Sequence, residues 1–452
     1  MPKISLRDYL ETIVLSDLED REKFENKINE LNSIENNVCS YSSERHAYFG
    51  YALSYSNKFK ELEDEAKRKK KPFETELYSN LLFFMKKTII YSKKNLSTAD
   101  PLSNNNSRLL HSIMGNLYFW FGKFIINGGR ADNLDDILVK KDSETIDNRH
   151  LIMNVFEEAI KHFEISREFG NREKENDSKL GVAYVELASL SNKPIERYEN
   201  LLKGIMNFEL SRIHGNEHTA NDECIATAYQ DMGHLISNLD LFLNQDESRR
   251  FVEIKEKLYN QTEGYFDCFE ILKDLNISEN SKFNRSDVEK TAILFLEKAL
   301  EGYNNVHEKK GKYISTKDYT YRGKCALRLG KLRHSFGHVK LAKKDLENAL
   351  KLKKDRFVYS LLGETYYTSA HYYISFSSIE EKIKEFRRAA FCYVMSNRMG
   401  NTKQEIYGMI AESYRCLLKA EFGKKDPNKR LIEGYLKKSI KYAERAINGE
   451  IK

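Results

Sequence analysis

Apolar residues recur three and four positions apart along this chain, in two kinds of stripe. The first reads Ala292-x3-Leu296-x2-Ala299-Leu300 and returns fifty residues later as Ala342-x3-Leu346-x2-Ala349-Leu350. It reappears in weaker form at Ile152, Phe156, Ala159 and Ile160, and at Leu436, Ile440 and Ala443. Such spacing places the apolar side chains on one face of an α-helix, and the small Ala positions let a neighbouring helix come close.

The second stripe carries an aromatic residue followed by an apolar-small pair. Tyr359-x2-Leu362-Gly363-x2-Tyr366 and Tyr229-x2-Met232-Gly233-x2-Ile236 show it most clearly. His46-x2-Phe49-Gly50, His111-x2-Met114-Gly115, Tyr184-x2-Leu187-Ala188, Leu329-Gly330 and Tyr407-x2-Ile410-Ala411 are variants. A Gly inside a helix costs about 1 kcal/mol relative to Ala, so its return at one place in the pattern predicts a site of close helix contact.

Between Leu329-Gly330 and Leu346-x2-Ala349 the pattern predicts helix, a turn near Gly337, and helix again. At these residues the chain resembles the tetratricopeptide repeat, and the 33-residue step from Gly330 to Gly363 is close to that family's unit of about 34. Other steps are longer, such as the 45 residues from Ala188 to Gly233. The resemblance is clearest over residues 290–450. It implies an all-α fold, a right-handed superhelical α-solenoid of antiparallel helix pairs with roughly 6–8 units.

Gly170-Asn171, Gly215-Asn216 and Gly400-Asn401 each follow a helical stretch and read as joints between repeats, where Gly supplies φ > 0. Irregular segments at 101–107, 127–148 and 276–285 divide the chain into a divergent N-terminal helical region (1–148), a first set of repeats (149–276) and a C-terminal set (286–452). Ser286-Asp287-Val288-Glu289 has the form of a capping box opening the last set.

Composition agrees with long helices: only 5 Pro and 22 Gly punctuate 452 residues, and 40% hydrophobic residues are enough for a core. The net charge of +6 arises from 74 basic and 68 acidic residues, so a nucleic-acid partner is permitted but not favoured. Cys39, Cys224, Cys268, Cys325, Cys392 and Cys416 are widely spaced and give no zinc signature, so neither a metal nor another cofactor is expected. The N-terminus shows no secretion signal and no run of about 18 apolar residues occurs, so the expected location is cytoplasmic, with no membrane contact. Asn276-Ile277-Ser278 is then a chance sequon. Nothing in the sequence addresses the oligomeric state.

Candidate chemistry is sparse. Arg333 followed by His338 resembles the active pair of HEPN-type metal-independent RNases, in which His moves a proton and Arg contacts phosphate. Arg212/His218 and Arg328/His334 share its spacing, about as many matches as composition yields by chance. His214-Gly215 with Cys224 resembles a caspase-like dyad but lacks the flanking strands. The basic run Lys67-Arg68-Lys69-Lys70-Lys71 suits a helix C-terminus as well as a nucleic-acid patch. No phosphate loop, His-Glu-x2-His pair, Ser-centred elbow or calcium loop is present.

The family resemblance implies that first helices line a concave face whose exposed polar residues meet a partner. These are Gln230, His234 and Asn238; Lys331 and His334; Ser360, Glu364 and Tyr367; and Glu412 and Arg415. They lack the Lys/Asn/Arg pattern by which some members of the family capture chaperone C-termini. The expectation is a non-catalytic scaffold or regulatory subunit that binds another protein or a peptide segment. The alternative is an RNase or RNA-binding helical protein.

Overall fold

The computed structural model describes residues 85, 87–93, 95–96, 104–126, 148–238, 245–262, 266–273, 285–373 and 379–448. The motif at His46, the basic run at 67–71, Cys39, Gly128-Gly129 and the Asn276 sequon lie outside the described residues. Every regular element described is helical, with no strand among them. In chain order these are α1 (Asn104–Ile126), α2 (Asn148–Glu168), α3 (Lys174–Leu190), α4 (Pro194–Ile213), α5 (Thr219–Ile236), α6 (Gln245–Gln261) and α7 (Asp267–Leu272). There follow α8 (Arg285–Lys310), α9 (Thr316–Leu332), α10 (Phe336–Leu352), α11 (Arg356–Thr368), α12 (Ile379–Arg398), α13 (Gln404–Phe422) and α14 (Lys429–Asn448). The triple Asn at 104–106, expected to be irregular, forms the first turn of α1.

The chain forms two compact units. The first holds α1 to α3 with Leu210–Asn216; the second holds Lys193–Glu209 and the helices from α5 onward. In the first unit, Phe156 of α2 is fully buried against α1, where its ring lies 2.8 Å from the place a Cβ on Gly122 would occupy. Phe163 meets Gly115 in the same way at 2.8 Å. In the second unit a Cβ on Gly233 would lie 3.0 Å from Leu296 and 3.1 Å from the carbonyl of Ala292, so the two stripes read from the sequence face one another. Gly330 meets Val339 at 2.7 Å, and Gly363 meets the ring of Tyr393 at 3.0 Å. The recurrent Gly is therefore a packing residue, which makes room for a partner side chain where Ala would collide.

Successive helices pair as α1 with α2, α9 with α10, α11 with α12 and α13 with α14, whereas α5 pairs with α8 across the segment that carries α6 and α7. Arg322 of α9 donates to both carboxylate oxygens of Asp345 on α10 at 2.7 and 2.8 Å, and to Asn304 of α8 at 3.3 Å. Ser315 and Asp318 form a capping box that opens α9, and Asp355 caps α11.

Gly170, Gly215 and Gly400 have φ of 87°, 84° and 89°, and each ends a helix in a Schellman turn. One side-chain clasp accompanies all three. Ser166, Ser211 and Ser396 donate to the carbonyls of Arg108, Lys174 and Arg356 near the start of α1, α3 and α11. Asn171, Asn216 and Asn401 each donate back to the clasping serine. The turn after α9 departs from expectation: it falls at Arg333–Ser335, with His334 at φ 48°, while Gly337 lies inside α10. A His tolerates the left-handed conformation better than most side chains, so no Gly is needed there.

The first unit contains a titratable core pair, since Nδ1 of His111 and Nδ1 of His162 lie 2.8 Å apart. Burial, then His111, Lys161 and Lys93, push His162 down to about 3, although Glu158 lies 3.8 Å from its ring. The neutral form is thus the folded form, while the unfolded chain binds the proton near the ordinary value of 6.5. Stability is fully present above pH 6.5 and falls as pH drops toward 3. We expect urea unfolding followed by Trp120 fluorescence to show a loss of about 2 kcal/mol between pH 8 and pH 5. A His162→Gln variant that retained the same pH slope would show that another group is responsible.

Candidate functional pocket

Within the second unit, α5, α9 and α11 present their outer faces to a common pocket of about 380 Å³. Lys324, Arg328 and Lys331 stand at i, i+4 and i+7 on α9, one helical face, while Cys325, Leu329 and Gly330 turn into the core. His234, Ser237 and Asn238 enter from the end of α5, and Glu364 from α11. Leu296, Leu327, Leu332 and Leu361 supply the apolar lining.

The electrostatics are unbalanced toward positive charge. Lys331 forms an ion pair with Glu364, joining α9 to α11. Among the described residues Arg328 has no such ion-pair partner, and its buried Nη1 has no hydrogen-bond partner there. Burial lowers Arg328 and Lys324, the charged forms being held away from water. Burial also raises Asp231, although Lys324, Arg328 and Arg197 pull the other way. Burial, together with Arg328, Lys324 and Arg197, brings His234 down to about 4, so its imidazole is neutral near pH 7. A group that enters beside Arg328 with hydrogen-bond acceptors satisfies the buried donor and offsets the charge.

Of the residues singled out on the first helices, His234, Asn238, Lys331 and Glu364 line this pocket. Gln230 does not: it is 1% exposed and accepts from the Tyr303 hydroxyl at 3.2 Å, a tie inside the core. His334 lies at the turn after α9, and Ser360 is half-buried on α11 outside the pocket lining. Tyr367, Glu412 and Arg415 gather at a second place, where the Tyr367 hydroxyl donates to Glu412 Oε1 at 3.3 Å and Arg415 grips both carboxylate oxygens. Lys324 was not singled out, and Arg328 stood out only for its RNase-like spacing to His334, although the spacing of both with Lys331 was a readable signal.

The other candidates are engaged elsewhere. Arg333 pairs with Glu297 at 2.6 Å, and His338 Nδ1 lies 2.8 Å from Ser335 Oγ in the first turn of α10. His214 contacts Asp177 at 2.7 Å in the first unit, while Cys224 sits on α5 of the second. No described helix is long and apolar enough to cross a membrane.

No family model matches the chain. No curated protein matches it either. Among solved structures it is similar to the nuclear import adaptor Nro1, a hypoxic regulator of sterol synthesis, at 11% identity over 82% of this chain and 96% of that one, with a TM-score of 0.42. It is also similar to a tetratricopeptide repeat protein of Parabacteroides merdae, at 12% identity over 78% and 98%, TM-score 0.30. For yeast Tom70 the figures are 12% identity over 95% and 96%, TM-score 0.22. The paired helices, the small residues at their contacts and the turn-forming Gly residues make the described part of the chain an all-α array of packed helix pairs.

Proposed function

We propose that this protein is a non-catalytic scaffold or regulatory subunit that binds a segment of a partner protein across the outer faces of α5, α9 and α11. The observation that carries this reading is the convergence of three helices on one pocket with an apolar lining and an unsatisfied buried Arg328 donor. A partner segment with an acidic side chain beside an apolar one complements both features. The described cysteines are all free thiols, which fits a reducing, cytoplasmic setting.

The test is affinity purification of the full chain from its native cells, beside Arg328→Glu and a control Lys437→Glu on α14. A stoichiometric partner bound by the native chain and the control, but at least about 30-fold more weakly by Arg328→Glu, is expected, since reversing a desolvated charge removes 2 kcal/mol or more. Equal recovery by the folded Arg328→Glu variant would remove the pocket from the interface.

A further inference from the structure

A second cluster lies away from the pocket, at the end of α11. There the helix widens into a short π-helical turn, Ser369–Tyr373, which carries His371. Glu412 and Cys416 stand one turn apart on the facing side of α13, at i and i+4. His371 Nε2 lies 3.4 Å from Cys416 Sγ, Cys416 Sγ lies 3.4 Å from Glu412 Oε1, and all three donor atoms fall within 4.8 Å of one another.

The two 3.4 Å separations from the Cys416 sulfur match edges of a coordination tetrahedron. With Zn–S near 2.3 Å and Zn–N near 2.0–2.1 Å, tetrahedral angles place sulfur and nitrogen about 3.5 Å apart. The donors are also of three different kinds, and the thiolate selects a borderline-soft transition ion over magnesium or calcium. Two residues four apart on one helix with a third donor from elsewhere is a spacing that metal sites on helices require.

The surroundings hold each donor in place. The His371 ring packs on Tyr367 at 4.6 Å between centroids and edge-on to Phe386 at 5.3 Å, while its outer side is exposed. Arg415 Nε bonds Glu412 Oε2 at 2.5 Å and its Nη2 bonds Oε1, which also accepts from Tyr367 and faces Cys416. Partners of this sort orient ligating carboxylates in known metal centres. A π-turn inside a repeat helix is uncommon and is frequently found at functional positions.

We propose that His371, Glu412 and Cys416 form a binding site for one Zn2+ ion. The Cys416 thiol releases its proton to solvent on binding, and Glu412 Oε1 exchanges its bonds to Cys416 and to Arg415 Nη2 for the metal. One thiolate and one carboxylate then neutralise the dication. Solvent takes the fourth position on the exposed side of His371. The ion would clip the π-turn after α11 to α13.

The experiment uses the full chain with a non-thiol reductant, titrated with Zn2+ against a chromophoric chelator, and separately with Co2+ to read the thiolate charge-transfer band. We expect one equivalent of metal per chain and a thiolate band in the native protein. Cys416→Ser should lose the band. His371→Ala, at an exposed position and therefore safe for folding, should bind at least tenfold more weakly while its circular dichroism stays native. Absence of stoichiometric uptake, or an unchanged band in Cys416→Ser, or unchanged affinity in His371→Ala, would each overturn the assignment.

Discussion

Replacing Asp345 by Ala should lower the stability of the second unit by about 3–5 kcal/mol, because it strands the guanidinium of Arg322 in the interior. Asp345 is fully buried, and Arg322 is only 16% exposed while making two bonds to it. The loss arises chiefly from the unpaired charge and much less from the pair's own net contribution, since burying two ions offsets most of their attraction. A double variant, Arg322→Met with Asp345→Leu, should therefore recover most of the stability. Urea unfolding followed by circular dichroism decides the matter: a single variant within about 1 kcal/mol of the native protein contradicts this account.

A comparable loss, about 3–5 kcal/mol, is expected for Phe156→Ala in the first unit. Its ring is fully buried, meets Phe119 edge-on at 6.1 Å and fills the space above Gly122. Helix α1 is held by other contacts and cannot close fully over the cavity. The opposite change, Gly122→Ala, overfills the same space at a cost of about 1–3 kcal/mol, offset by roughly 1 kcal/mol of better helix propensity. Trp120, the only Trp of the chain, is partly buried against this core and reports it directly. An unfolding midpoint unmoved in Phe156→Ala would show that the contact carries little of the core.

Helical class and packing faces were legible because both follow from local spacing. Ala292, Leu296 and Ala299 are each at most 1% exposed, and the glycines paired with such stripes do receive a neighbouring side chain. Which helix a stripe meets was less legible. Gly233 on α5 packs against α8, with α6 and α7 intervening in the chain, and no periodicity reveals an insertion inside a pair. Gln230 was misread for a related reason: its amide looked suited to a surface, but Tyr303 supplies a partner that allows burial. The gathering of His371 with Glu412 and Cys416 was hidden because more than forty residues separate His371 from the other two, and only packing closes that distance.

The serine clasps bear on how the chain acquires its form during synthesis. Each joins residues only 37 to 58 positions apart, and each can close as soon as the helix that carries its serine is complete. Low sequence separation favours rapid, unit-by-unit assembly from the first residues to emerge, without waiting for distant partners. Within each unit the ribosome can thus release helix pairs that are already fastened before the rest of the chain has been made.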